Sequence, residues 1–101
     1  MKLLLCNVPT QDAKRLAHLV VSDYGAACVN LVGPVVSVYR WKGELCEDEE
    51  MTLVIKVASA KVLGLIDALV EAHPYELPEV LSLEVDEGSS YRPYLEWVES
   101  V

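Results

Sequence analysis

The chain has 101 residues, enough for one domain with one hydrophobic core. We expect this domain to span residues 1–101. Its formal net charge of −8 argues against nucleic acid and anionic membranes as partners, because both select basic surfaces. No apolar run approaches the roughly 20 residues of a membrane-spanning helix. No secretory signal is visible, and three widely spaced cysteines provide neither a disulfide framework nor a zinc knuckle. We therefore expect a cytoplasmic protein.

A strand and an amphipathic helix are predicted at the start of the chain. Residues 2–8 form a short apolar run, which is typical of a strand buried on both faces. Apolar side chains then recur at helical spacing over residues 13–24, and Gly25 supplies a stop signal.

A long hairpin is predicted next. Residues 28–41 are dense in β-branched and aromatic side chains, with a bend or bulge at Gly33-Pro34. The tip falls at residues 42–44, and residues 51–57 return with apolar side chains at alternate positions. The hairpin also carries five carboxylates: Glu44, Glu47, Asp48, Glu49 and Glu50. We expect them to form a solvated, aggregation-resistant edge, because they lack the spacing and central glycine of a calcium loop.

The second half repeats the helix-then-strand order. Ser59 is the expected N-cap of a helix whose apolar stripe spans residues 62–70 and which Pro74 limits. Residues 80–85 predict a fourth strand, and residues 91–98 predict a short aromatic tail that contains a helical turn. The β-α-β-β-α-β order predicts an α+β, ferredoxin-like antiparallel sandwich with a long central hairpin.

Such a sandwich leaves one face of its sheet without helices. That face, the long hairpin and the aromatic tail would expose more apolar surface than a monomer of this size usually does. We therefore expect a closed homo-oligomer in which hairpins and tails pair across subunits.

The segment 73–79, with the sequence HPYELPE, is unlike an ordinary connector. Its two prolines make it stiff and extended, whereas connectors are normally rich in Gly, Ser, Asn and Asp. It presents His73, Tyr75, Glu76 and Glu79. We expect this arm either to bind a ligand or to dock onto a neighbouring subunit.

Five blocks in the same order resemble the CutA divalent-cation-tolerance family. They are residues 26–31 (AACVNL), 37–43 (SVYRWKG), 53–56 (LVIK), 73–79 (HPYELPE) and 94–97 (YLEW). The resemblance implies a ferredoxin-like protomer, a tightly packed homotrimer and a link to copper or other divalent cations. The similar trimeric plan of the PII signalling proteins is an analogy of fold.

The resemblance also implies a candidate metal site. Some bacterial members are proposed to bind copper through a cysteine at the end of the first strand and two successive histidines. Cys6 and His73 match two of these positions, while Ala72 replaces the other histidine. A thiolate and an imidazole suit copper or zinc, but two ligands imply weak binding. The alternative is a buried cysteine that acts as a small apolar residue and a histidine at a helix C-terminus.

Several further residues are candidates for an intersubunit cleft or an interface. Tyr39, Arg40, Trp41 and Lys56 of the hairpin would face Tyr75, Glu76 and Glu79 of the arm, and Trp97 lies in the tail. They would line a small-ligand pocket, or simply pack an interface, where Trp, Tyr and Arg are common.

No catalytic triad, phosphate loop or Rossmann fingerprint is present, so we do not expect an enzyme. The leading hypothesis is weak copper or divalent-cation binding in metal tolerance. A PII-like small-molecule sensor and a trimeric scaffold for an unidentified partner protein are the alternatives.

Overall fold

The computed structural model describes all residues from Met1 to Val101. The strands are β1 (Lys2–Pro9), β2 (Cys28–Trp41), β3 (Glu44–Val57) and β4 (Leu81–Glu84), and the helices are α1 (Ala13–Asp23), α2 (Val62–Ala72) and α3 (Arg92–Ser100). This order confirms the ferredoxin-like α+β prediction. The aromatic tail is a full helix of nine residues rather than a single turn. The longest helices have 11 residues, too few to span a membrane.

The four strands form one antiparallel sheet in the order β2-β3-β1-β4. Leu4 lies opposite Ile55 and Cys6 lies opposite Leu53, so the alternate residues of the two central strands share one face. That face is buried under α1 and α2. The main core comprises Leu4, Cys6, Val8, Ala13, Leu16, Val20, Ala26, Leu53, Ile55, Val57, Val62, Leu65 and Leu69.

The predicted N-cap of α2 is wrong. Ser59 begins a 3₁₀ turn that spans Ser59–Lys61, and Lys61 occupies the cap position without a side-chain hydrogen bond. The Lys61 N–H donates to the backbone carbonyl oxygen of Ala58 at 3.0 Å. A backbone carbonyl therefore accepts the hydrogen bond that the Ser59 hydroxyl was expected to accept at the start of the helix. At the other end α2 stops at Ala72, two residues before Pro74, as the proline predicts.

The opposite face of the sheet, which we call the open face, is only partly covered. Helix α3 packs across one end of it, where Leu95 and Val98 are buried with Met1. Leu81 and Leu83 of β4 lie on the open face and remain exposed. The tail is therefore anchored within its own chain by two aliphatic residues, while its aromatic residues stay at the surface.

The long hairpin is confirmed, with 14 residues in each strand. Lys42 and Gly43 both have positive φ, 50° and 82°, as a two-residue hairpin turn requires. The register shifts between Val32 and Val35, which places the expected bulge at Gly33-Pro34. The hairpin gives the protomer extents of 45 × 28 × 21 Å and a radius of gyration of 14.2 Å, above the about 13 Å typical of 100 residues.

Candidate functional site

A cleft of about 720 Å³ lies between the distal hairpin and the arm, residues 73–79. It is lined by Asn7, Ser37, Val38, Tyr39, Arg40, Trp41, Glu50, Pro74, Tyr75, Glu76, Leu77 and Glu79. Six of the eight residues predicted for an intersubunit cleft or an interface line this cleft, which lies within one protomer. The volume is within the roughly 300–1,000 Å³ of typical small-ligand sites.

His73 fixes the start of the arm against β1. Strand β4 pairs with β1 only as far as Leu5, which leaves the later carbonyls of that edge without a strand partner. His73 Nε2 lies 2.9 Å from the Asn7 carbonyl oxygen, and its Nδ1 lies 3.1 Å from the backbone N–H of Tyr75. Because the Tyr75 N–H must donate, Nδ1 accepts and Nε2 carries the proton that it donates to Asn7. The imidazole thus replaces a strand and holds the arm at the sheet edge.

Tyr75 joins the arm to the hairpin. Its hydroxyl donates to Glu50 Oε2 at 2.8 Å, and Glu50 is only 5% exposed. Burial, followed by this hydrogen bond to a carboxylate, raises the pKa of Tyr75, so its hydroxyl remains a donor through the neutral range. The expectation that all five hairpin carboxylates are solvated is therefore wrong for Glu50. The side chain of Glu50 points to the face on which the arm docks, and Tyr75 satisfies it there.

The distal wall of the cleft is built from the hairpin's aromatic residues. The Tyr39 hydroxyl donates to Asp48, and this bond is the main reason that the pKa of Tyr39 rises to about 12. At the rim, the Lys42 ammonium lies 5.6 Å from the centroid of the Trp41 ring and 3.7 Å from Glu76 Oε2. Both aromatic and acidic groups therefore line the cleft.

Two of the eight candidates lie elsewhere. Lys56 is on the open face, where its Nζ is 3.9 Å from the Cys28 sulfur. Trp97 is on α3, with its ring 5.5 Å from that of Tyr94. Neither residue lines the cleft of its own protomer.

Cys6 and His73 do not form a prepared metal site. Cys6 is fully buried in the main core, and burial, together with the negative charges of Glu79 and Glu50, raises the pKa of its thiol to about 12. Both nitrogens of His73 already take part in hydrogen bonds. No three His, Cys, Asp or Glu side chains converge anywhere in the chain. Metal coordination would require Cys6 to lose a proton and His73 to give up a partner, so ligation by this pair stays a prediction.

Sequence reasoning missed Asn7 and Glu50. Asn7 interrupts an otherwise apolar strand, and its side-chain oxygen accepts from the Thr52 hydroxyl at 2.7 Å. Glu50 was grouped with its acidic neighbours. The useful signal was alternation, because Glu50 continues the open-face series of Thr52, Val54 and Lys56 rather than the core series.

Comparison with solved structures defines the class of protein. The "PII-like protein CutA from Nostoc sp. PCC 7120 in apo form" superposes with a TM-score of 0.92 at 45% identity, and the match covers 97% of this chain and 93% of that chain. The protein is thus a PII-like, ferredoxin-like domain.

Sequence comparison gives the family. The model of the CutA1 divalent ion tolerance protein matches residues 2–101, so the chain belongs to this family. It is 37% identical to the divalent-cation tolerance protein CutA of Thermus thermophilus, over 96% of this chain and 93% of that protein. It is 45% identical to the human protein CutA over 88% of this chain. The match covers only 49% of the human protein, so this chain spans about half of that relative's length.

Proposed function

We propose that this protein is a non-catalytic, cytoplasmic homotrimer that acts in the tolerance of divalent metal ions, copper in particular. The observation that carries the proposal is the family match over residues 2–101. The Thermus relative named for divalent-cation tolerance is matched over 93% of its length, which supports a shared role for the whole domain. Three free cysteines fit a reducing compartment.

Exposed apolar side chains support the assembly. Val36, Val38 and Leu45 near the hairpin end are each more than half exposed, and so are Leu81 of β4 and Tyr91, which precedes α3. Monomers rarely leave so much large apolar surface in contact with water. A trimer would bury it, with interfaces above about 2,000 Å², the range of obligate contacts. Sedimentation of a compact 11.2 kDa species at micromolar concentration would contradict the trimer.

The proposed metal contact is weak and involves Cys6 and His73. Metal binding at these residues has an energetic cost, because the Cys6 thiol must ionise and the His73 imidazole must give up a hydrogen-bond partner. We expect Cys6→Ser and His73→Ala to reduce copper binding, measured by calorimetry under reducing conditions. Ala72→His should tighten Cu(II) more than Zn(II), following the usual affinity order.

His18 provides the matched control for that experiment. It is the chain's other histidine and lies exposed on α1, far along the sequence from the arm. His18→Ala should leave copper binding unchanged. If Cys6→Ser and His73→Ala bind copper as the wild type does, the metal contact is not at these residues.

The cleft favours a second function, the sensing of a small molecule. Its volume, its stiff arm and its mixed aromatic and charged lining are properties of ligand sites rather than of plain packing surfaces. A ligand of the native state raises apparent stability by mass action, so a thermal-shift screen of nucleotides, small anions and small cations tests this function. No shift with any class at millimolar concentration would argue against it.

A further inference from the structure

A thiol, an ammonium group and a phenol come together on the open face, away from the cleft. Cys28 and Lys56 lie directly opposite each other on β2 and β3, and the Lys56 Nζ is 3.9 Å from the Cys28 sulfur. Helix α3 of the same chain brings the Tyr94 hydroxyl to that sulfur. Burial raises the pKa of Tyr94, and the charge and hydrogen bond of Cys28 raise it further, so the hydroxyl stays protonated and able to donate. Two donors from its own chain therefore surround the sulfur.

The other two cysteines have no comparable surroundings. The Cys6 thiol is fully buried, its pKa is raised by burial to about 12, and it lies 4.0 Å from the Asn7 carbonyl oxygen. The Cys46 thiol lies 3.8 Å from the Glu44 carbonyl oxygen, on the acidic part of the hairpin. An ammonium group and a hydroxyl stabilise a thiolate, the nucleophilic form of cysteine, whereas carbonyl oxygens and carboxylates do not. Cys28, which is only partly buried, is therefore the cysteine best suited to react.

We propose that Cys28 is a modification site for peroxides, and that its oxidised sulfur then forms a covalent bond to the Lys56 nitrogen. In the first step the sulfur attacks a peroxide oxygen and the O–O bond breaks. The sulfur is oxidised to a sulfenic acid, and the hydroxide that leaves takes the proton of the thiol and becomes water. The inference goes beyond metal tolerance and the cleft and depends on neither.

The second step joins the two strands. The Lys56 amine, after release of its ammonium proton to solvent, attacks the sulfenic sulfur of Cys28. An S–N bond forms, the S–O bond breaks, and the hydroxyl leaves as water with a hydrogen of the amine. Side chains directly opposite in an antiparallel pair have Cβ atoms about 4.5–5.5 Å apart, so the bond requires little movement of the backbone. It would tie β2 to β3 at residues 28 and 56 and remove a positive charge from the open face.

The test oxidises the intact protein with equimolar hydrogen peroxide, with a chelator present so that no copper takes part. Tryptic peptides are then weighed by mass spectrometry. Trypsin normally cuts after Lys56, but not when its amine is bonded to sulfur. The expected product therefore joins residues 16–40 to residues 43–61, and a thiol reductant should separate them. A disulfide between Cys28 and Cys46 would instead join residues 16–40 to residues 43–56.

Variants of the lysine separate the two steps. Lys56→Arg keeps the positive charge but has no nucleophilic amine, so it should form no link. Dimedone, which traps sulfenic acids, should still label Cys28 in this variant at close to the wild-type rate. Lys56→Met removes the charge as well and should slow that labelling several-fold. Lys14→Arg, on the exposed side of α1, is the matched control and should change neither result. Circular dichroism checks that each variant is folded.

Three results would overturn the proposal. The first is labelling of Cys46 as fast as that of Cys28. The second is oxidation of Cys28 without the product that joins residues 16–40 to 43–61, or the same product in Lys56→Arg. The third is an unchanged labelling rate in Lys56→Met, which would mean that the ammonium group does not activate the thiol.

Discussion

The bond between Tyr75 and Glu50 should make a measurable contribution to stability. The hydroxyl donates at 2.8 Å to a carboxylate that is 5% exposed. Hydrogen bonds to charged groups contribute roughly 1.5–3 kcal/mol, and Tyr75 is itself 38% exposed, which favours the lower half of that range. We expect Tyr75→Phe to lower the free energy of unfolding by about 2 kcal/mol.

A double-mutant cycle isolates the pair. Glu50→Gln should cost about 1 kcal/mol, because an amide oxygen still accepts from Tyr75. The double variant should cost less than the sum of the two, with a coupling energy of about 1 kcal/mol. Urea unfolding followed by circular dichroism gives these values, at one fixed protomer concentration because assembly is linked to stability.

Tyr24→Phe provides the matched control for this cycle. Tyr24 has a similar exposure at the end of α1 and no side-chain hydrogen bond, so its loss of a hydroxyl should change the free energy of unfolding by less than about 0.5 kcal/mol. The reasoning fails if Tyr75→Phe matches Tyr24→Phe, or if the coupling energy between Tyr75 and Glu50 is zero.

Three other predictions concern stability and assembly. The folded thiol of Cys6 has its pKa raised from 9.0 to about 12, so its stabilising contribution is present below pH 9 and is lost as pH rises to about 12. In the wild type, this effect should lower the free energy of unfolding by up to about 4 kcal/mol between pH 9 and about pH 12, and Cys6→Ala should reduce that loss. Unfolding titrations at several pH values measure it, and the same dependence of unfolding free energy on pH in both proteins would contradict the prediction. Trp41→Ala and Trp97→Ala should each weaken assembly by about 2 kcal/mol or more while circular dichroism stays native, and unchanged trimer melting for both would refute their placement at interfaces. Leu65→Ala, in the core, should cost about 2–5 kcal/mol. Its exposed neighbour Leu63 should tolerate alanine within about 0.5 kcal/mol, so equal losses would mean that the core is misassigned.

Local patterns in the chain were sufficient to predict most of the fold. Alternation and helical spacing predicted the sheet and both core helices, and the two prolines of the arm predicted a stiff, extended segment. Aromatic and ionisable side chains are dense at the hairpin and the arm, and six of the residues proposed for a cleft between subunits line a cleft within the protomer.

What the sequence could not predict depends on long-range contacts. His73 meets the backbone of Asn7 from 66 positions away, and nothing near either residue indicates the other. Alternation assigns Glu50 to the open face, but nothing in the sequence indicates that Tyr75 of the arm folds over it. Ser59 satisfies every local preference for an N-cap, yet the chain tightens into a 3₁₀ turn and a backbone carbonyl takes that role.

The two edges of the sheet are unequal, and this limits how copies can join. One edge is the 14-residue β2, while the other is the four-residue β4 extended by the imidazole of His73. If two protomers paired β2 against β2, the contact would be isologous, and it would close as a two-fold dimer with no place for a third copy. A ring of three needs heterologous contacts. In the proposed trimer, the outer edge of β2 must therefore contact a different surface of the neighbouring protomer. Each protomer must carry both of the complementary surfaces that form this interface.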